Sequence, residues 1–215
     1  MEQLLVINEI YTSIQGESSF AGRPCTFVRL TGCPLRCKWC DTAYAFAGGK
    51  TMTPGQIMAE VRSAGLPLVE LTGGEPLAQA ETAGLAGQLL EAGYEVLIET
   101  GGSEDVSVLD DRVHIIMDVK CPGSGMEDRN REENFRHLKP TDELKFVLAD
   151  EADFHWAAAM IRRLELDQRF QVLMSPAFGL MQPRDLVALM LDSGLRVRLN
   201  LQLHKYIWHP RKKGV

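Results

Sequence analysis

Short apolar runs recur along this chain, and nearly every one ends in glycine or small polar residues. Residues 4–11 read as a first strand. The polar stretch 12–18 follows, and its glycine and hydrogen-bonding side chains suit a binding loop as well as a plain connection. Arg23-Pro24 marks a turn, and 25–30 is rich in strand formers. Thr53-Pro-Gly-Gln56 predicts a helix start, with Thr53 as the cap, Pro54 in the first helical position and Gln56 closing a capping box. That helix runs to about Ala64 and stops at Gly65. Strands are predicted at 67–71, 94–99, 114–119, 143–148, 170–174 and 195–203. Between them, helices are predicted at 79–92, at 152–166 from the spacing of Phe154, Ala158, Ile161 and Leu164, and at 183–192. The crossover 103–113 is too short for a full helix, and 126–133 is polar enough to be a loop.

Strand, loop and helix thus alternate about six times, which implies a parallel sheet with helical crossovers. A closed eight-unit barrel takes about 250 residues. This chain has 215, so the expected fold is α/β, an incomplete, open (β/α)6-type parallel barrel forming a single domain over 1–215. In parallel barrels the active site is built from the loops after the strands. The segments 31–42, 72–76, 100–103, 118–125, 175–179 and 202–205 are therefore expected to converge.

Composition narrows the classes of function. Lys and Arg number 23 against 29 Asp and Glu, which argues against a duplex nucleic-acid binder. The one basic run, Arg211-Lys-Lys213, reads as a solvated tail. No stretch of about 18 apolar residues exists to cross a membrane. Met1-Glu-Gln-Leu-Leu-Val-Ile lacks the basic region and cleavage site of a leader. Five cysteines, an odd number without a secretory signal, point to reduced thiols and a cytoplasmic location.

Three of those cysteines fall in Thr31-Gly-Cys-Pro-Leu-Arg-Cys-Lys-Trp-Cys-Asp-Thr42. Three thiolates are one short of the closed four-ligand zinc site or the ordinary four-cysteine cluster. A cubane held by Cys33, Cys37 and Cys40 leaves one iron open to a small molecule. The alternative is a zinc knuckle that borrows a fourth ligand from Cys25, Cys121 or a histidine. Gly73-Gly-Glu75-Pro76 is either a tight strand-to-helix turn or a place where the backbone approaches a ligand. Arg29, a strand residue with a permanently charged fork, suits a carboxylate or a surface salt bridge. Cys25 reads as a small buried hydrophobe, and His114, His137, His155 and His209 show no partner pattern.

The cysteine spacing with Trp39, joined to Gly73-Gly-Glu75-Pro76, resembles the radical S-adenosylmethionine (SAM) superfamily. Ile7-Asn-Glu-Ile-Tyr-Thr-Ser-Ile-Gln-Gly-Glu17, Thr26-Phe-Val-Arg-Leu-Thr-Gly-Cys33, Cys40-Asp-Thr42, Leu71-Thr-Gly-Gly-Glu-Pro76, Asp118-Val-Lys-Cys-Pro-Gly-Ser-Gly125 and Gln202-Leu-His-Lys205 resemble one family within it, the 7-carboxy-7-deazaguanine synthases of the queuosine pathway. The resemblance spans residues 7–210.

The resemblance implies a 4Fe-4S cluster on Cys33, Cys37 and Cys40, with the free iron chelating SAM and cleaving it to a 5'-deoxyadenosyl radical. It implies conversion of 6-carboxy-5,6,7,8-tetrahydropterin to 7-carboxy-7-deazaguanine, with loss of ammonia and regeneration of SAM. Implied SAM contacts are Trp39, Cys40, Asp41, Gly74, Asp118, Val119, Lys120 and Ser175; Thr100, at the end of a neighbouring strand, is either a turn residue or a contact to the ribose hydroxyls. Implied substrate contacts are Ile14, Gln15, Gly16, Glu17, Arg29, Thr72, His204 and Pro210. The family's magnesium would sit on Thr42, helped by the substrate carboxylate because magnesium prefers oxygen ligands. A flavodoxin or ferredoxin as electron donor and a homodimer are also implied. Two other readings share some of these features: a radical SAM activase acting on a partner protein, and a non-catalytic zinc-stabilised binding module.

Overall fold

The computed structural model describes residues 4–215; Met1 to Gln3, part of the segment read above as leaderless, lie outside the described residues. Nine strands form one sheet: β1 (Leu5–Ile14), β2 (Pro24–Leu30), β3 (Lys50–Met52), β4 (Leu68–Gly73), β5 (Glu95–Thr100), β6 (His114–Val119), β7 (Glu143–Leu148), β8 (Gln171–Pro176) and β9 (Val197–Leu199). Their order is β3-β1-β2-β4-β5-β6-β7-β8-β9. From β2 to β9 every pairing is parallel. The sheet does not close on itself, so the expected open parallel barrel is the fold observed.

The N-terminal end departs from a purely parallel sheet. β1 pairs antiparallel with β2, and β3 pairs antiparallel with β1. β1 also runs through Thr12 and Ser13, which their polarity assigned to a loop. Pairing with Cys25 and Thr26 satisfies their backbone, and that outweighs composition. β3 is too short to leave a sequence signal.

Four long helices cover one face of the sheet: α1 (Pro54–Ala64), α2 (Thr82–Glu91), α3 (Glu151–Leu164) and α5 (Pro183–Ser193), with one-turn helices α4 (Leu166–Arg169) and α6 (His204–Ile207). The α1 start is the capping box the sequence predicts: the Thr53 side chain accepts from the Gln56 amide, and Gln56 reaches back to the Thr53 N–H. Gly65 then ends the helix in the left-handed conformation. The crossover 103–113 holds only a short 3-10 turn, Val106–Val108, as expected from its length. No helix among the described residues is long and apolar enough to cross a membrane.

Two predicted elements are shorter in the structure. The helix expected from Gln79 begins at Thr82, because the Gln79 side chain is engaged elsewhere (see below). The strand expected at 195–203 ends at Leu199, and the chain leaves the sheet to carry Gln202 and His204 over the strand ends.

Strand alternation sorts the core into two faces. Val28, Leu71, Ile98, Met117, Phe146 and Met174 face the helices and form the main core. The other face holds a small apolar cluster of Cys25, Phe27, Leu68, Leu97 and Ile116, on which Tyr11 and Phe20 pack. The same parity brings Arg29, Thr72, Glu99, Asp118 and Lys145 to this inner face, where polar groups gather.

α3 ends at Glu165, an exposed non-glycine residue with φ 52°. Left-handed backbone costs an L-residue roughly 1–2 kcal/mol. Glu165→Gly is expected to raise stability by about 1 kcal/mol, measured as a higher denaturant midpoint with an unchanged m-value.

Candidate active site

The cysteine loop leaves β2 and is pinned by backbone. Thr31 N–H donates to Val6 O at 2.9 Å and Gly32 N–H to Ala45 O at 2.8 Å. The turn after β4 lies directly against it: Gly74 N–H donates to Leu30 O and Glu75 N–H to Gly32 O. A Cβ on Gly74 would stand 2.1 Å from Gly32 O and 3.0 Å from the Cys33 Cβ. Only glycine permits this approach. Gln79 clamps the same place, accepting from Val6 N–H at 2.8 Å and donating to Val6 O and Thr31 O at 2.9 Å each. The buried Glu75 carboxylate accepts from the Thr100 hydroxyl, Gly101 N–H and Leu77 N–H. Burial pushes this carboxyl up, against the pull of those donors.

A cleft of about 480 Å³ opens beside this junction, at the carboxyl ends of the parallel strands. Cys33, Cys37 and Cys40 line it, with Trp39, Asp41 and Thr42. All three cysteines are free and partly exposed. Burial raises the Cys33 and Cys37 thiols; the Leu35 N–H donates to the Cys33 sulfur at 3.4 Å, and the nearby Lys120 ammonium pulls both thiols down. The spare thiols are elsewhere: Cys25 is sealed in the inner apolar cluster and Cys121 in the helix-side core. Neither can supply the fourth ligand of a zinc knuckle here. Among the described residues no three His, Cys, Asp or Glu groups gather as a single-ion site. The donor set fits a larger cluster left open at one corner.

Gly74, Thr100, Asp118 and Lys120 also line the cleft. Asp118 pairs with Lys120 at 2.9 Å. Burial alone would lower the Lys120 ammonium, but the ion pair with Asp118 holds it above its ordinary value. Asp118 Oδ1 and the Ser175 hydroxyl are buried without a hydrogen-bond partner, and of the two only Asp118 lines the cleft with the thiols. Two expected SAM contacts do not line the cleft. Val119 alternates to the helix-side core, which leaves only its backbone near the site, and Ser175 is buried behind the wall. The Thr100 hydroxyl is directed to Glu75, not into the open cleft.

The remaining expected residues meet on the opposite wall. Ile14, Gln15, Gly16 and Glu17 line it with Arg29, Thr72, His204 and Pro210. Gln15 donates its amide to Glu70 at 3.1 Å. Arg29 is no surface salt bridge: it is nearly buried, held by Glu9 at 2.9 Å and the Tyr11 hydroxyl at 2.6 Å, while Tyr44 donates to the same Glu9 oxygen. Leu203 N–H donates to Gly16 O at 2.9 Å, and a Cβ on Gly16 would stand 2.6 Å from His204 Nδ1. Asp41 pairs with Lys205 at 2.6 Å. Thr42 Oγ1 lies 3.7 Å from the Cys40 sulfur. The basic tail is not simply solvated. Arg211 to Val215 fold back along the cleft, and Lys213 Nζ sits 4.1 Å above the Tyr44 ring.

Glu70, Glu99, Lys145 and Gln202 also line the cleft, and as site residues they have to be read from the structure. Glu17 accepts from the Gln202 amide at 3.1 Å and pairs with Lys145 at 2.9 Å. Burial would raise the Glu17 carboxyl, but Lys145, with His204 and Gln202, brings it down to about 2. A signal for three of them exists in the chain. Strands of a parallel sheet covered on both sides are near-continuously apolar, so the lone charges in Leu-Val-Glu70-Leu, Leu-Ile-Glu99 and Leu-Lys145-Phe mark an inward polar face.

The model of the Radical SAM superfamily matches residues 27–123. A 7-carboxy-7-deazaguanine synthase of Koribacter versatilis is 46% identical over 97% of this chain and 99% of its own. That of Chlorobaculum tepidum is 46% identical over 100% of this chain and 99% of its own. The crystal structure of QueE from Escherichia coli has the same fold, with a TM-score of 0.77 at 22% identity, covering 94% of this chain and 95% of that one.

The contact at Gly74 carries a prediction. Gly74→Ala forces the cysteine loop from the turn, so iron and sulfide bound after anaerobic reconstitution should fall to less than about half of wild type, while far-ultraviolet circular dichroism stays unchanged. Full loading of that variant would show the contact to be dispensable.

Proposed function

The chain belongs to the 7-carboxy-7-deazaguanine synthase family of radical SAM enzymes, and on that premise we propose that it converts 6-carboxy-5,6,7,8-tetrahydropterin to 7-carboxy-7-deazaguanine, with loss of ammonia, in queuosine biosynthesis. The family implies a 4Fe-4S cluster and SAM. Bound in this cleft, they supply one-electron chemistry that removes a hydrogen atom from the substrate. The observation that carries the reading is the meeting of three free thiols, the glycine turn after β4 and the Gln15–Glu17 loop in one cleft.

The chain's own residues then divide the work. Cys33, Cys37 and Cys40 would hold the cluster, and Cys25 and Cys121, sealed away, would supply no further thiolate. Gly74 lets the turn approach the SAM methionine group, with Trp39, Asp41, Asp118, Lys120 and the Val119 backbone around it. Glu17, ionised beside Lys145, accepts from the amino and ring N–H groups of the pterin. Arg29, oriented by Glu9 and Tyr11, offers a fixed cation to the substrate carboxylate. Thr72, Ile14 and His204 shape the wall, and Pro210 with the folded-back tail narrows the mouth and excludes water.

Magnesium completes the reading. The Thr42 hydroxyl is one oxygen donor at the cleft, and a single hydroxyl is a weak magnesium site, so the substrate carboxylate and water supply the rest. We assign the electron delivery to a flavodoxin or ferredoxin and the working form to a cytoplasmic homodimer; the open edges of the sheet are compatible with a partner copy.

Anaerobic turnover with SAM, reductant and the carboxypterin tests the reading. Wild type should form deazaguanine product without a second protein. Cys37→Ala should form none, and Thr42→Ala should need at least about tenfold more magnesium for half-maximal rate. Product formation that ignores magnesium, or that requires an added protein substrate, would overturn the assignment.

A further inference from the structure

We propose that Lys145 is a positioning residue that keeps Glu17 a charged hydrogen-bond acceptor for the substrate; this rests on the reading of Glu17 as a substrate contact. Lys145 stands in the middle of β7 between Leu144 and Phe146, both fully buried in the sheet. Alternation turns it to the inner face, where 3% of it is exposed. A lysine is almost never buried to this degree unless it is paired. Its ammonium has three donors, and three carboxylates surround it: Glu17 Oε2 at 2.9 Å, the ion-paired Glu99, and Asp118 Oδ2 at 3.9 Å.

These partners come from different elements. Glu17 lies in the loop after β1, Glu99 on β5 and Asp118 on β6. Asp118 already has Lys120 at 2.9 Å, and Asp41 has Lys205 at 2.6 Å. The groups left facing Glu17 are Glu70 on β4, the Gln202 amide and His204 on α6, with Glu99 reached through Lys145. Lys145 is thus the cation buried at the centre of the carboxylates. Burial and the neighbouring Glu99 and Glu17 charges push the Glu70 carboxyl well up. Glu17, in direct contact with the ammonium, goes the other way.

Without the ammonium, Glu17 is a buried carboxylate facing other carboxylates, and desolvation with like charge raises its pKa. A protonated Glu17 presents an O–H where the pterin also presents N–H donors, and recognition fails. As pH rises through the new pKa, Glu17 ionises again and recognition returns. In wild type the pairing holds Glu17 ionised across the working range, so substrate affinity does not vary with pH through this group.

The test compares Lys145→Met, Lys145→Arg and wild type as reconstituted holoenzymes. Lys145→Met should raise KM for the carboxypterin about tenfold near neutral pH, with the defect shrinking as pH rises, about tenfold per unit at most. Lys145→Arg should restore the flat profile. In substrate-free enzyme, the infrared difference between Lys145→Met and wild type should show an added carboxylic-acid C=O band that disappears on raising the pH. Adding Glu17→Gln to the methionine variant should remove that band. If Lys145→Met does not load its cluster, Lys145→Gln, polar but uncharged, carries the same expectations. A KM defect independent of pH, or no new acid band, overturns the proposal. If the acid band appears while wild type itself does not turn over the pterin, the Lys145 assignment stands and the substrate reading falls.

Discussion

The structure depends on one close approach between two backbones. The turn after β4 has no side chain at Gly74, so Glu75 can donate to the Gly32 carbonyl and Gly74 to the Leu30 carbonyl. Those bonds set the height of the cysteine loop above the sheet. Gln79 ties the same loop to β1, and Glu75 ties the turn to Thr100 and Gly101 at the end of β5. Three strands and the cysteine loop are thereby joined through buried and partly buried hydrogen bonds. Such bonds are costly to leave unmade in a low dielectric, which makes the thiols a rigidly presented set although they lie on a loop.

The inner face of the sheet answers a second constraint. An open parallel sheet has one face against helices, and that face here is mostly apolar, with Thr26 and Thr100 the buried polar exceptions on β2 and β5. The other face lines the cleft and carries Arg29, Thr72, Glu99, Asp118 and Lys145 at alternate positions of the same strands. Buried charges need partners, and each has one: Arg29 with Glu9, Asp118 with Lys120, and Lys145 with Glu17 and Glu99. Pairing also separates the carboxyls chemically: Lys145 pulls the Glu17 carboxyl down, while burial and like charge push the Glu70 carboxyl up.

Much of this was legible before any coordinates. The capping box at Thr53 to Gln56, the stop at Gly65 and the helixless crossover 103–113 rest on residues close in sequence, and the strands 114–119 and 143–148 show as local apolar runs although their hydrogen bonds go to distant strands. β1 running on through Thr12 and Ser13, the late start of α2 and the short β9 were not legible. In each case a partner far along the chain, β2, Val6 with Thr31, or Gly16, decided the local conformation. The folded-back tail escaped for the same reason: its contact is with Tyr44.

By itself, the order of residues determined the family, the open parallel barrel and the three-thiol loop, because motif spacing and hydrophobic period are properties of neighbours. Only the tertiary structure decided which charges pair and which side chains face the cleft. Lys145 and Glu17 are 128 residues apart and meet at 2.9 Å only once β7 and the loop after β1 face each other across the barrel. Electrostatic energy depends on distance and burial, and a linear sequence carries neither until it is folded.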